Sequence, residues 1–244
     1  MVSRLRHFYK KIIFFDGILL YLILIFAGAG KLPVSSKAIL TSVIQSDTGK
    51  EEPLDPYKKL KKKVAITFDD GPNAEFTPIL LEGLKERNVK ATFFLLGKEA
   101  EKYPEIVEQM HKEGHLVATH AYEHIDLSKL PDEQARAQID STNQVLQEIT
   151  GVYPAYIRPP FGAWKTNLDY KTEMIEVLWD VDPLDWKTPD ANVVANYVIS
   201  KVKEDDIILL HDASVTSVQA AFMIIDALEK EGYTFVTVEE ILLE

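Results

Sequence analysis

From residue 64 to the C-terminus, short apolar runs rich in β-branched and aromatic residues alternate with longer stretches of helical spacing. The strand-like runs fall at residues 64–68, 91–96, 116–118, 156–157, 177–179, 207–210 and 234–236. Between them, Phe76, Ile79, Leu80, Gly83 and Leu84 mark one apolar helix face, and Ile106, Val107 and Met110 another. A third face carries Ile139, Thr142, Val145, Leu146 and Ile149 and closes at Gly151 and Pro154. A fourth carries Ala220, Met223, Ile224, Ala227 and Leu228 and closes at Gly232. Strands that alternate with helices predict an α/β fold, a parallel sheet covered by helices. About seven such units suit a distorted or incomplete (β/α) barrel, TIM-like with seven to eight strands, better than an open doubly wound sheet. No glycine-rich phosphate loop follows the first strand, which weakens any nucleotide-binding reading.

The front of the chain follows a different pattern. Arg4, Arg6, Lys10 and Lys11 precede residues 12–30, an apolar run whose only charge is Asp16. A basic cluster followed by an apolar stretch predicts an N-terminal membrane-targeting helix. The run is also close to the ~20 residues that span a bilayer. Ala27, Gly28 and Ala29 offer small residues for cleavage, so a signal peptide and a retained anchor both stay open. With the basic cluster held inside, the remainder is expected outside the membrane, secreted or anchored. Residues 31–61 are rich in Ser, Thr, Gly, Pro and charge, show no periodic apolar face and read as a linker. The expected organisation is thus a signal or anchor over 1–30, a linker over 31–61 and a folded domain over 62–244.

Charge sharpens this division. The net charge is −11, yet residues 1–63 carry 12 Lys/Arg against 5 Asp/Glu, which leaves a strongly acidic body. Such a body argues against nucleic acid as a partner. The absence of cysteine excludes disulfides, thiolate metal sites and cysteine nucleophiles. Any metal must therefore be held by His, Asp or Glu. A monomer is the expected state.

The polar residues that interrupt these patterns sit just past strand ends, the face on which a β/α barrel assembles chemistry. Asp69 and Asp70 close the first strand, and adjacent carboxylates repel unless a cation lies between them. His120 and His124 follow the third strand. In a helical turn, that spacing of four would put both imidazoles on one side, able to chelate one ion. With one aspartate they make three protein ligands, the arrangement of a catalytic rather than a closed structural site. Arg158 follows the run at 156–157, Asp185 lies in a loop after 177–179, and His211 closes the run at 207–210. His111 and His115 read as ordinary helix-end residues.

Five motifs in order, TFDDGP, HAYEH, RPPFG, DPLDW and LLHD, resemble the polysaccharide deacetylase family, which shares the NodB homology domain (carbohydrate esterase family 4). The resemblance covers residues 62–244. It implies a distorted (β/α) barrel and a hydrolase that removes acetyl groups from amino sugars with one divalent metal ion, commonly zinc. It implies Asp69 as general base, Asp70, His120 and His124 as metal ligands, and Arg158 as the residue that orients the base. His211 matches the general acid and Asp185 the carboxylate that raises its basicity. Trp186 and Leu209 match walls of the acetyl pocket, and Phe161 would contribute its backbone N–H to the site. Ala121 and Phe161 depart from the family's usual Ser or Thr and Tyr, and neither is a ligand or a proton-transfer residue. A position outside the membrane makes peptidoglycan the expected glycan. An O-acetyl esterase, or a deacetylase of chitin oligosaccharide or exopolysaccharide, would use the same residues. A catalytically silent glycan-binding protein is the alternative of another class, and the intact acidic and histidine set argues against it.

Overall fold

The computed structural model describes residues 62–164 and 174–243. Its centre is β1 (Lys62–Asp69), buried from Val64 to its end. Side chains alternate along it. Val64, Ile66 and Phe68 face the apolar layer shared with the helices, whereas Ala65 belongs to a separate cluster with Phe94, Ala118, Tyr156, Val177, Ile207 and Val236. The period that buries one set under helices therefore turns Ala65, Thr67 and Asp69 into the barrel.

β1 pairs in parallel with β6 (Ile207–His211) on one edge. The opposite edge is shared: its second half meets β2 (Thr92–Leu95) and its first half meets β7 (Tyr233–Val236). Beyond β2 the sheet continues in parallel through β3 (Leu116–Thr119), β4 (Tyr156–Ile157) and β5 (Ile175–Glu176). The ring then closes without a full strand. Val181 bridges Ile208, with the Leu209 N–H donating to the Val181 carbonyl at 2.9 Å. An incomplete parallel (β/α) barrel results, as the sequence pattern predicts.

Helices cover the outside: α1 (Phe76–Glu86), α2 (Gly97–Lys102), α3 (Pro104–Lys112), α4 (Asp132–Thr150), α5 (Ala191–Lys201), α6 (Val215–Lys230) and α7 (Val238–Leu242). α6 buries Val218, Ala220, Ala221, Ile224, Ile225 and Leu228. Each fully buried Leu or Ile of this kind contributes ~1.5–3 kcal/mol. The ends are chemically marked. The Asp190 carboxylate accepts the Asn192 N–H at the start of α5, Ser214 caps α6 through the Ser217 N–H, and Gly151 ends α4 at φ 77°.

Three expectations are revised. The fifth strand lies at Ile175–Glu176 rather than 177–179, because the Val177 and Leu178 carbonyls accept hydrogen bonds from the Arg158 guanidinium, both at 3.1 Å. Ile79 and Met223, expected on buried helix faces, are exposed. His120–His124 is not a helical turn, since Ala121 sits at φ 67°. The expected signal or anchor and the linker lie outside the described residues. Among the described residues, no helix is long and apolar enough to cross a membrane.

Candidate active site

Five strand ends converge on one rim of the barrel. Register places Asp69 of β1 beside His211 of β6, so the two lie on neighbouring strands at the same height. Asp69 is almost fully buried, and its Oδ1 accepts from Arg158 Nη1 at 2.6 Å. Arg158 has no exposed surface. Its Nη1 also donates to Thr67 Oγ1 at 2.7 Å, and Thr67 in turn donates to the Ile208 carbonyl at 2.7 Å. The guanidinium lies 4.1 Å over the Phe94 ring. Every face of this buried charge is thus met by an acceptor or an aromatic ring, as a buried cation requires.

Asp70 follows at φ 75°, a left-handed conformation that swings its carboxylate away from Asp69. Its Oδ1 lies 3.3 Å from His120 Nε2 and 3.5 Å from His124 Nε2. The two imidazoles converge because the loop carrying them is pinned to α2: the Gly97 and Lys98 N–H groups donate to the Ala121 and Tyr122 carbonyls at 3.0 and 3.2 Å. The Arg158 carbonyl accepts the His120 Nδ1 proton at 2.7 Å, which leaves the Nε2 lone pair directed at Asp70. His124 packs edge-on against the Phe161 ring at 4.4 Å. Burial, against the opposing Asp70 charge, lowers the His124 pKa and favours the neutral, ligating form. Burial opposes ionisation of Asp70, yet His120, His124 and His211 together hold its carboxyl below the usual range.

These three residues fit a divalent cation. Asp70 Oδ1 is buried and has no hydrogen-bond partner among the described residues. One ligand atom each from Asp70, His120 and His124 lie within 4.8 Å of one another. Two imidazole nitrogens and a carboxylate oxygen, with the remaining side open, suit zinc or a similar borderline ion.

Across the triad stands His211. Asp185 accepts its Nδ1 proton at 2.8 Å and its backbone N–H at 2.9 Å. Burial alone would lower its pKa. The Asp185 hydrogen bond and charge, with Asp69 and Asp70 nearby, outweigh this and raise it to about 9.

A cleft of about 490 Å³ opens over these groups. Phe161, Trp186 and Leu209 line it, as do Asp182 and Leu184 of the DPLDW motif and Trp179, to which the sequence assigns no role. Phe161 and Trp186 are 66% and 62% exposed, large apolar surface at the mouth of a polar site. Asp70, Ala121, Phe161 and Leu184 all adopt positive φ, so left-handed backbone gathers around the cleft. His111 and His115 lie elsewhere. His115 is buried, with its Nδ1 accepting the Ala91 N–H. Thr67, in the TFDDGP motif but without an assigned role, belongs to the site as well: its place two residues before Asp69 puts it on the same inward face.

The pattern described as polysaccharide deacetylase matches residues 57–177. A peptidoglycan-N-acetylglucosamine deacetylase of Bacillus cereus is 43% identical over 189 residues, which is 75% of this chain and 68% of that protein. The chain belongs to the polysaccharide deacetylase family. A second member, the peptidoglycan-N-acetylmuramic acid deacetylase PdaC of Bacillus subtilis, is 39% identical over 192 residues, 79% of this chain but 40% of that longer protein. The solved PdaC structure matches with a TM-score of 0.73, over 75% of this chain and 90% of the solved one. A family 4 acetyl xylan esterase from Clostridium thermocellum, solved with a cobalt ion, is 33% identical, with a TM-score of 0.70 over 74% of this chain and 90% of its own.

Proposed function

We propose that this polysaccharide deacetylase hydrolyses N-acetyl groups of amino sugars in peptidoglycan, outside the membrane to which residues 1–30 would direct or anchor it. One observation carries the reading. Two opposed proton-transfer pairs, Asp69 with Arg158 and His211 with Asp185, flank the Asp70, His120 and His124 triad inside a single cleft.

A divalent cation, zinc on the donor set, held by Asp70, His120 and His124 would polarise the acyl carbonyl and acidify the attacking water. Asp69 accepts the proton from that water, and Arg158 fixes its orientation through Oδ1, leaving Oδ2 facing the triad. The Phe161 backbone N–H donates to the developing oxyanion. His211, protonated at neutral pH, gives its proton to the departing amine, which would otherwise be a poor leaving group. Leu209 and Trp186 enclose the acetyl methyl.

The acetyl xylan esterase relative supports a second reading, O-deacetylation, because the same residues would attack an ester. The raised pKa of His211 favours the amide, whose leaving group depends more heavily on an acid. Acetate release from peptidoglycan, chitin oligomers and acetylated xylan, each with zinc, cobalt or a chelator, separates the readings. Peptidoglycan should release most acetate, and chelation should stop it. No acetate release above background in either wild type or Asp69→Ala, with the glycan still bound, would point instead to a glycan-binding protein without catalysis.

A further inference from the structure

Asp212 follows His211 directly and is 1% exposed, yet no step above uses it. Its Oδ2 accepts a hydrogen bond from Thr77 Oγ1 near the start of α1. Thr77 Oγ1 in turn accepts the Asn73 N–H at 2.7 Å, so the hydroxyl joins α1, the turn after Asp70 and the end of β6. The carboxyl also lies flat against Gly71. A Cβ built there would stand 2.5 Å from Asp212 Oδ2 and 2.8 Å from Oδ1. The turn from Asp69 to Asn73 is thus gripped at two points by one side chain. Between the strand and that grip lies Asp70, held at φ 75° with Oδ1 toward both imidazoles.

We infer that Asp212 is a positioning residue for the metal site: through Thr77 and its contact with Gly71 it holds Asp70 in the conformation that completes the triad with His120 and His124. A carboxylate ligand in a left-handed conformation is strained, and such conformations persist only where surrounding groups over-determine them. The His211 imidazole has its own partner in Asp185 on another loop, so Asp212 is not what holds it. Its work is done by shape and one hydrogen bond. An asparagine retains both, because its amide oxygen can accept from Thr77 and its outline matches the gap beside Gly71.

The inference rests on the triad binding a metal, so the test measures binding itself. Zinc affinity of the full chain is read by competition with a chromogenic chelator for wild type, Asp212→Ala, Asp212→Asn and Thr77→Val, with His120→Ala as control. Asp212→Ala should bind zinc ~10–100-fold more weakly, the usual cost of losing a group that orients a ligand. Asp212→Asn should stay within about threefold of wild type, and Thr77→Val should weaken binding in the direction of Asp212→Ala. Thr77→Val carries the test if Asp212→Ala fails to fold. Unchanged affinity in both Asp212→Ala and Thr77→Val, with His120→Ala impaired, overturns the positioning role and leaves the metal site intact. A loss in Asp212→Asn as large as in Asp212→Ala overturns it too, since charge rather than shape would then matter. Full affinity in His120→Ala would instead remove the metal reading.

Discussion

Replacing Asp185 by asparagine keeps a side chain of the same shape and removes the charge on which His211 depends. His211 is raised from 6.5 to about 9, against the opposing effect of its burial, chiefly by the Asp185 hydrogen bond and charge. At ~1.36 kcal/mol per tenfold change in proton affinity, that distance is worth about 3 kcal/mol in favour of the imidazolium. Two donors, the His211 backbone N–H and Nδ1, converge on the two carboxylate oxygens. Asparagine offers one acceptor oxygen, so one of these bonds is lost or becomes a donor–donor contact. A cation held by Asp70, whose Oδ2 lies 4.0 Å from His211 Nε2, would lower wild type and variant alike and leave the comparison intact. Asp185→Asn should therefore move the alkaline limb of kcat/KM for acetate release by roughly two pH units to the acid side. Stability carries the same sign. Because the folded pKa is raised, the stabilisation is fully present below 6.5 and lost as pH rises through about 9. The Tm difference between wild type and variant should accordingly be wide near pH 6 and narrow above pH 9. An alkaline limb that does not move would show that His211 is not the acid or that Asp185 is not its partner. A Tm gap that widens above pH 9 would reverse the sign of the argument.

His120→Ala should abolish stoichiometric zinc retention on desalting and reduce acetate release in parallel, because it removes one of three protein ligands; metal content by atomic absorption checks this. Arg158→Met should cost ~3–5 kcal/mol of stability by leaving the Asp69 carboxylate buried without its cation. Yet zinc binding should persist in Arg158→Met, since the backbone carbonyl that orients His120 remains. Thermal unfolding and chelator competition on one sample read both effects.

Regions where packing follows one clear period were legible in advance. β1 and β6 are continuous apolar runs ended by Asp69 and His211, and their register brings those two ends together as expected. α5 carries a weak helical signal, because Val193, Val194 and Val198 are β-branched and its outer face includes the exposed Val193 and Tyr197. β5 was shifted because a long-range partner, Arg158, takes the carbonyls of the more apolar stretch beside it. Spacing alone does not explain why the histidine pair converges. A spacing of four suggested a helical turn, whereas the pair converges through a left-handed Ala121 and carbonyls bound to α2, neither of which a periodicity can report. Asp212 lay within a recognised motif, but its partners Thr77 and Gly71 are more than a hundred residues away in sequence.

The shared edges of β1 have a consequence for how the chain reaches this state. The hydrogen bond from Thr67 to the Ile208 carbonyl spans 141 residues, and Lys62 finds its partner only at Tyr233. The first of the described strands to be synthesised is therefore among the last to be enclosed. Until the final ~40 residues are available, one long edge of an apolar strand stays unpaired, a template for pairing with other chains. Contacts this distant make closure slow. A chain stopped before Ile207 should aggregate rather than fold partially, because the β1 edge that pairs with residues 207–211 would stay open.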